Sequence, residues 1–357
     1  MNHKSLIGLG VVVLAGVVLF LFFIPSAERN KQSQTIEVSD GIETSTAMPA
    51  SQPLEINHNP EKEIQEEIDL LIAQRNYTSA LQRVDELLSS VADPHIVERL
   101  NLYKGNLLFA SGDLQQAYDV YRQLLLNGKR DDIRDWTTVK LYVVADKLGT
   151  ADEVIGEFLN IYEQQPHNPR LGYILADLYA YNGKPDKESE IRNVLLTDEP
   201  GNLDNGMKLM AAYGKMKNPS AAAEVSGRMA EADPKNEAAH LFRQATLLLQ
   251  ANDNEKASSV CDAVLSSKIA NAQVLLRCGY LYEQLGNYDQ AIAAFAKASE
   301  IATEQYREER CVAESLRLKQ REEALSSDEV RILEDLAQGA QAQAVRALAK
   351  DILGTNK

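Results

Sequence analysis

Histidine, cysteine and the carboxylates are the side chains through which a chain of this composition could do chemistry, and their spacing argues against it. The five histidines (His3, His58, His95, His167 and His240) stand apart, and the three cysteines (Cys261, Cys278 and Cys311) form no C-x-x-C pair. No H-E-x-x-H helix face is present to hold zinc beside a general base. Nor is there a G-x-S-x-G turn to expose a nucleophilic serine, or a glycine-rich loop to cradle a phosphate. The 52 Asp and Glu residues are spread along the chain, as solvated helix faces require. The sequence therefore reads as non-enzymatic, with no metal, no cofactor and no small-molecule substrate.

Binding remains, and charge limits the partner. A formal net charge of -15 repels the phosphates that nucleic-acid binders must neutralise with Lys and Arg, so nucleic acid is set aside. Ala, Leu, Gln and Glu, good helix formers, dominate, and aromatics are only 6%. An all-α chain follows, long enough at 357 residues for one extended repeat array with accessory segments.

The elements that would position a binding surface begin with an apolar run, Leu6 to Ile24, preceded by Lys4 and stopped by Pro25. As a helix it spans roughly 28 Å, enough to cross the hydrocarbon core. It is longer than the apolar region of a cleaved signal peptide, and Pro25 spoils the cleavage site that Ala27 would offer. Residues 1–25 are thus expected to be a transmembrane signal-anchor helix. Lys4 on one side is nearly balanced by Arg29 and Lys31 on the other. A short basic tail before a long apolar run nevertheless resembles a signal anchor of the inner (cytoplasmic) membrane with the soluble part on the periplasmic side. The odd cysteine count pulls mildly the other way, because an oxidising compartment threatens unpaired thiols. Residues 26–60 lack Phe, Tyr and Trp and are rich in Ser, Thr and Pro. Such a segment cannot offset its ordering entropy by burial, so a flexible tether is expected there.

From Glu61 the sequence repeats. The clearest unit carries Leu275, Cys278, Gly279, Tyr282, Gly286, Tyr288, Ala291, Phe295 and Ala298. This order of apolar, small and aromatic places closely resembles the tetratricopeptide repeat, a helix-turn-helix unit of about 34 residues. Preceding periods carry Leu241, Ala245, Leu248, Ala257 and Val264, then Leu209, Tyr213, Ala222 and Met229, then Ala176, Tyr179 and Gly183. In that last unit Glu188 and Arg192 take places the family gives to Ala and an aromatic. Further back come Tyr142, Ala145, Gly149 and Phe158, then Gly105, Leu108, Gly112, Ala117 and Tyr121, then Ile68, Leu71, Ala80 and Val84. The resemblance implies an α-solenoid of about seven such units over residues 61–305, each burying its apolar face only against its neighbours. Residues 306–357 are expected to cap it. A charged amphipathic helix from Gln305 to Leu325 leads to a capping box at Ser326 and Glu329, then a helix ending near Gly339 and a last one closed by Gly354.

In this family a concave groove is lined by fixed places of each unit's first helix. Carried onto this chain they give Phe109, Trp136, Val143, Tyr173, Asp177, Met207, Phe242 and Tyr280 as candidate partner-binding residues, with Trp136, the only tryptophan, foremost. Aromatics and Met suit an apolar or amphipathic protein or peptide partner. The family members that grip the carboxyl terminus of cytosolic chaperones use Lys and Asn where this chain has Gln65 and Asp69, so that role is not expected. Cys261 and Cys278 fall on core places of adjacent units and read as small buried hydrophobes, with a disulfide open to them outside the cytoplasm. The resemblance thus implies a membrane-anchored scaffold, held by its N-terminal helix, that recruits or assembles envelope proteins. The alternative is a periplasmic, chaperone-like holder of unfolded or secreted clients.

Overall fold

The computed structural model describes residues 60–355. The expected membrane helix over 1–25 and the tether through residue 59 lie outside the described residues, while Pro60, assigned to the tether, is the first residue of a helix. Among the described residues no helix is long and apolar enough to cross a membrane.

Those residues form an all-α solenoid of 17 helices without strands. The first fourteen come in pairs: α1 (Pro60–Ala73) with α2 (Tyr77–Ser90), α3 (Pro94–Ser111) with α4 (Leu114–Asn127), and α5 (Asp131–Leu148) with α6 (Ala151–Gln164). Next are α7 (Pro169–Tyr181) with α8 (Pro185–Asp198), α9 (Leu203–Lys215) with α10 (Pro219–Ala232), α11 (Glu237–Gln250) with α12 (Asn254–Ser266), and α13 (Ala272–Gln284) with α14 (Tyr288–Glu300). Three helices follow: α15 (Gln305–Glu322), α16 (Ser327–Gly339) and α17 (Gln343–Thr355). Gly354, expected just past the last helix, lies within it.

One turn recurs in every pair. The residue that reverses the chain between first and second helix sits in the left-handed region: Gly112, Gly149, Gly183 and Gly286 in four pairs, and Arg75, Lys217 and Asn252 in three. Glycine meets this requirement without a Cβ penalty, whereas Arg75 and Lys217 are held there at a cost of about 1 kcal/mol or more. In most pairs Asn or Asp follows and caps the second helix. Asn76 accepts from the Ser79 N–H at 3.2 Å and Asn218 from the Ala221 N–H at 3.1 Å.

The two helices of a pair meet through a small residue on the first and a large one on the second. Gly105 lets the Tyr121 ring approach so closely that a Cβ there would stand 2.5 Å from it, and Gly279 does the same for Phe295. Both rings are fully buried. At the equivalent place of the α7–α8 pair stands Arg192, 1% exposed. Its guanidinium donates to Asp177 and, at 2.9 Å, to Glu188, while the Asn205 amide donates to the Arg192 carbonyl at 2.9 Å. An ion network replaces the ring at the centre of the array.

After the last pair, α15 stays in register with the first helices. The Tyr280 hydroxyl donates to Glu314 at 2.7 Å and Arg317 donates twice to Glu283, at 2.9 and 2.6 Å, each across 34 residues. It therefore extends the inner row by one helix, and α16 and α17 close the end around Leu316, Leu333 and Ile352. The capping box forms, with Ser326 N–H donating to Glu329 at 2.8 Å and Glu329 N–H to the Ser326 hydroxyl at 3.4 Å.

Two expectations follow. Gly279→Ala drives a Cβ into the Phe295 ring and lowers stability by about 1–3 kcal/mol in urea unfolding. The Glu329 carboxyl is drawn from 4.5 down to about 2, first by Lys319, then by the Ser326 backbone and hydroxyl. A lowered folded value means the ionised form stabilises the fold, fully above pH 4.5 and progressively less as pH falls toward 2. The Tm deficit of Glu329→Gln is accordingly expected to shrink between pH 5 and pH 3, and a deficit constant with pH would exclude the ionised cap as its source.

Candidate protein-binding groove

Successive first helices meet one another along the array, α3 with α5, α5 with α7, α11 with α13 and α13 with α15. The inner row is close enough that Lys208 of α9 reaches Asp135 of α5, two pairs away, at 3.1 Å. Lys208 also lies 3.6 Å from Asp177 and 3.4 Å from Asp204. Burial alone would lower this ammonium, but Asp177 and Asp135 hold it above its ordinary value. Burial likewise favours the neutral Asp135 carboxyl, yet Arg134 and Lys208 keep it below the usual carboxylate range.

The eight candidate residues divide three ways. Trp136 and Met207 are each 45% exposed, and the Lys208–Asp135 bridge draws together the stretches of α9 and α5 that carry them. Phe109, Val143, Phe242 and Tyr280 are half-buried. Tyr173 and Asp177 are not groove surface: they are only 8% and 4% exposed. Asp177 is taken by Arg192, and the Tyr173 hydroxyl donates to Glu199 at 2.5 Å while accepting from the Asn202 amide at 2.7 Å. Tyr280 is likewise engaged. It donates to Glu314, accepts from Arg310 at 3.0 Å and packs edge-on to Phe295, 5.2 Å between centroids. Burial, then the Glu314 carboxylate, push its hydroxyl up to about 12.

The candidate aromatics are also capped by cations from neighbouring first helices. Arg134 lies 4.8 Å from the Tyr173 ring, Arg277 lies 5.9 Å from Phe242, and Lys140 and Lys147 each lie 5.9 Å from Phe109. The negative face of a ring attracts a cation by about 0.5–1 kcal/mol at such sites. Sequence reasoning missed these cations. A signal was present, because Arg243 and Arg277 stand one repeat period apart on successive first helices.

Apolar surface stays open in more than one cleft, among them one of about 550 Å³ lined by Val97 of α3 and Val120 and Leu124 of α4. A cleft of about 580 Å³ lies between α9 and α11 beside the start of α10, floored by Met207, Met210, Ala222 and Leu247 and rimmed by Lys217 and Arg243. Arg243 donates to the Met207 sulfur at 3.3 Å. Among the described residues no group of three or more His, Cys, Asp or Glu is placed to hold a metal ion. Cys261, Cys278 and Cys311 are buried and unbonded, and a hydrogen bond with Cys261, then burial, raise the Cys278 thiol.

With the geometry in hand, residues 272–305, which span α13, α14 and the turn to α15, match the family model described as "Tetratricopeptide repeat". This stretch is a tetratricopeptide repeat. Solved structures resemble the wider solenoid. A tetratricopeptide repeat protein of Parabacteroides merdae ATCC 43184 is 13% identical over 72% of this chain and 98% of its own, with a TM-score of 0.31. A structure described as Naa15/Naa10 bound to HypK-THB is 15% identical over 82% of this chain and 44% of its own, with a TM-score of 0.42. A thermophilic tetratricopeptide repeat protein of Thermus thermophilus is 21% identical over 51% of this chain and 99% of its own, with a TM-score of 0.29. Likeness of this degree concerns fold alone. No curated protein matches the sequence.

The buried network yields a prediction. Arg192→Phe alone leaves buried Asp177 and Glu188 with only Lys208 at 3.6 Å and Lys215 at 3.5 Å and is expected to cost about 3 kcal/mol. The triple variant Arg192→Phe, Glu188→Ala, Asp177→Asn restores the repeat's usual ring and small residue and recovers most of that loss. Chemical denaturation of both checks the pair, and a triple variant no more stable than the single would show that the network is not self-compensating.

Proposed function

We propose that the chain is a non-enzymatic scaffold that holds a protein partner against the inner row of first helices. The observation that carries this reading is the cleft between α9 and α11. An apolar floor with a polar rim is left uncovered while Tyr173, Phe242 and Tyr280 of the inner row are capped by cations or taken up in packing. Apolar surface of this kind, rimmed by polar groups, marks interaction sites in soluble proteins. Trp136 and Met207 supply the exposed side chains best suited to anchor a partner, since Trp in particular concentrates interface energy.

The proposal extends to place. The apolar run from Leu6 to Ile24 would tether the solenoid to an inner membrane, with the array on the periplasmic side, where it would recruit or assemble envelope proteins. The uninterrupted length of that run and the Ser/Thr-rich stretch after it support this. No catalytic step is assigned to any residue.

Trp136→Ala combined with Met207→Ala is expected to abolish partner capture in crosslinking pull-downs from native membranes. Helical content by circular dichroism should stay unchanged, because both side chains are 45% exposed. Undiminished capture by the double variant would refute the groove as the binding surface.

A further inference from the structure

The charge around the open cleft runs opposite to the charge of the chain. The sequence carries 52 Asp and Glu against 37 Lys and Arg, yet the charged residues lining the cleft are Lys217 and Arg243 alone, with no carboxylate. Arg277, one period beyond Arg243, lies over the Phe242 ring next to it on α11. Several other inner-row cations are paired with carboxylates within the chain: Lys208 with Asp135, Asp177 and Asp204, Arg170 with Asp131, and Arg317 with Glu283 and Glu314. Among the described residues no carboxylate pairs with Lys217, Arg243 or Arg277.

Lys217 adds a second observation. It occupies the left-handed turn place, φ 55°, that four other pairs give to glycine. A lysine there is strained and exposed, and it stands at the cleft rim. Among the described residues that side chain makes no ion pair.

Resting on the groove reading above, we propose that the segment received at this cleft is an acidic amphipathic stretch of a protein partner. Its apolar side chain enters between α9 and α11 against Met207, Met210 and Leu247, and its flanking carboxylates meet Lys217 and Arg243 at the rim and, beyond the cleft, Arg277 on α13 over the Phe242 ring. The two guanidinium groups offer fork-shaped donors matched to carboxylates, and Lys217 offers a point charge. The apolar floor provides affinity, while the three cations that have no carboxylate partner select an acidic segment and speed its encounter.

The test uses the full-length chain and two short fluorescein-labelled peptides that share the same Leu and Phe positions. One peptide has Asp and Glu at the remaining places, the other Lys and Arg. Anisotropy is expected to show the acidic probe bound at least about tenfold more tightly than the basic one, with affinity falling as salt rises. Arg243→Glu with Arg277→Glu should remove that advantage. Lys217→Gly should weaken the acidic probe while raising Tm, so the loss cannot come from unfolding. Equal binding of both probes, no binding of the acidic probe, or an advantage that survives charge reversal overturns the proposal. In the membrane capture assay, a partner that Trp136 and Met207 hold but that excess acidic probe fails to displace overturns the acidic character and leaves the groove reading standing.

Discussion

The crossing of two helices within each unit is the interaction on which the rest of the structure depends. A first helix alone has an apolar stripe and nothing to lay it on, and the second helix supplies one large residue that must fit over a small one. Tyr121 over Gly105 and Phe295 over Gly279 satisfy this with rings. In the α7–α8 pair the same place is met by a buried ion network instead, Arg192 with Asp177 and Glu188. Close-packed interiors feel a change of a single methylene, so each crossing fixes the helix separation and hence which side chains reach the inner face.

That separation also explains why the inner face is less apolar than a row of aromatics and Met implies. With first helices near enough for Lys208 to bridge to Asp135, cations of one helix fall onto rings or carboxylates of its neighbours. Most of the inner row is thereby satisfied from within. The cleft beside Met207 departs from this pattern because the α9 stretch has Ala211 and Gly214 where bulkier side chains would fill the space to α11. There both packing and carboxylate pairing are incomplete.

Much of this fold was legible in the sequence because its cause is periodic. The turn glycines, the Gly105 and Gly279 places and the Ser326–Glu329 cap are local or strictly repeated, so they can be read without coordinates. Arg75 and Lys217 could not be read as left-handed turn residues, since nothing about Arg or Lys favours that conformation. Asp177 was carried onto the groove by register, but its fate is set by Arg192, which lies across the unit on the next helix. The irregular Glu188 and Arg192 were visible as departures, yet their compensation by Asp177 and Asn205 is a three-dimensional fact. Tyr280 was likewise carried onto the groove by register, and its engagement by Glu314 and Arg310 of α15, 34 and 30 residues on, is set by the packing of that helix.

The central claim is that the inner row, at the Trp136 and Met207 stretches, is the face that holds a protein partner. Photo-crosslinking in cells from a reactive amino acid placed in turn at 136, 207 and 194 tests it most directly, Val194 being exposed on a second helix. The account predicts that positions 136 and 207 crosslink to the same protein and that 194 does not. Crosslinks to that protein from 194 alone, or equally from all three positions, would contradict it.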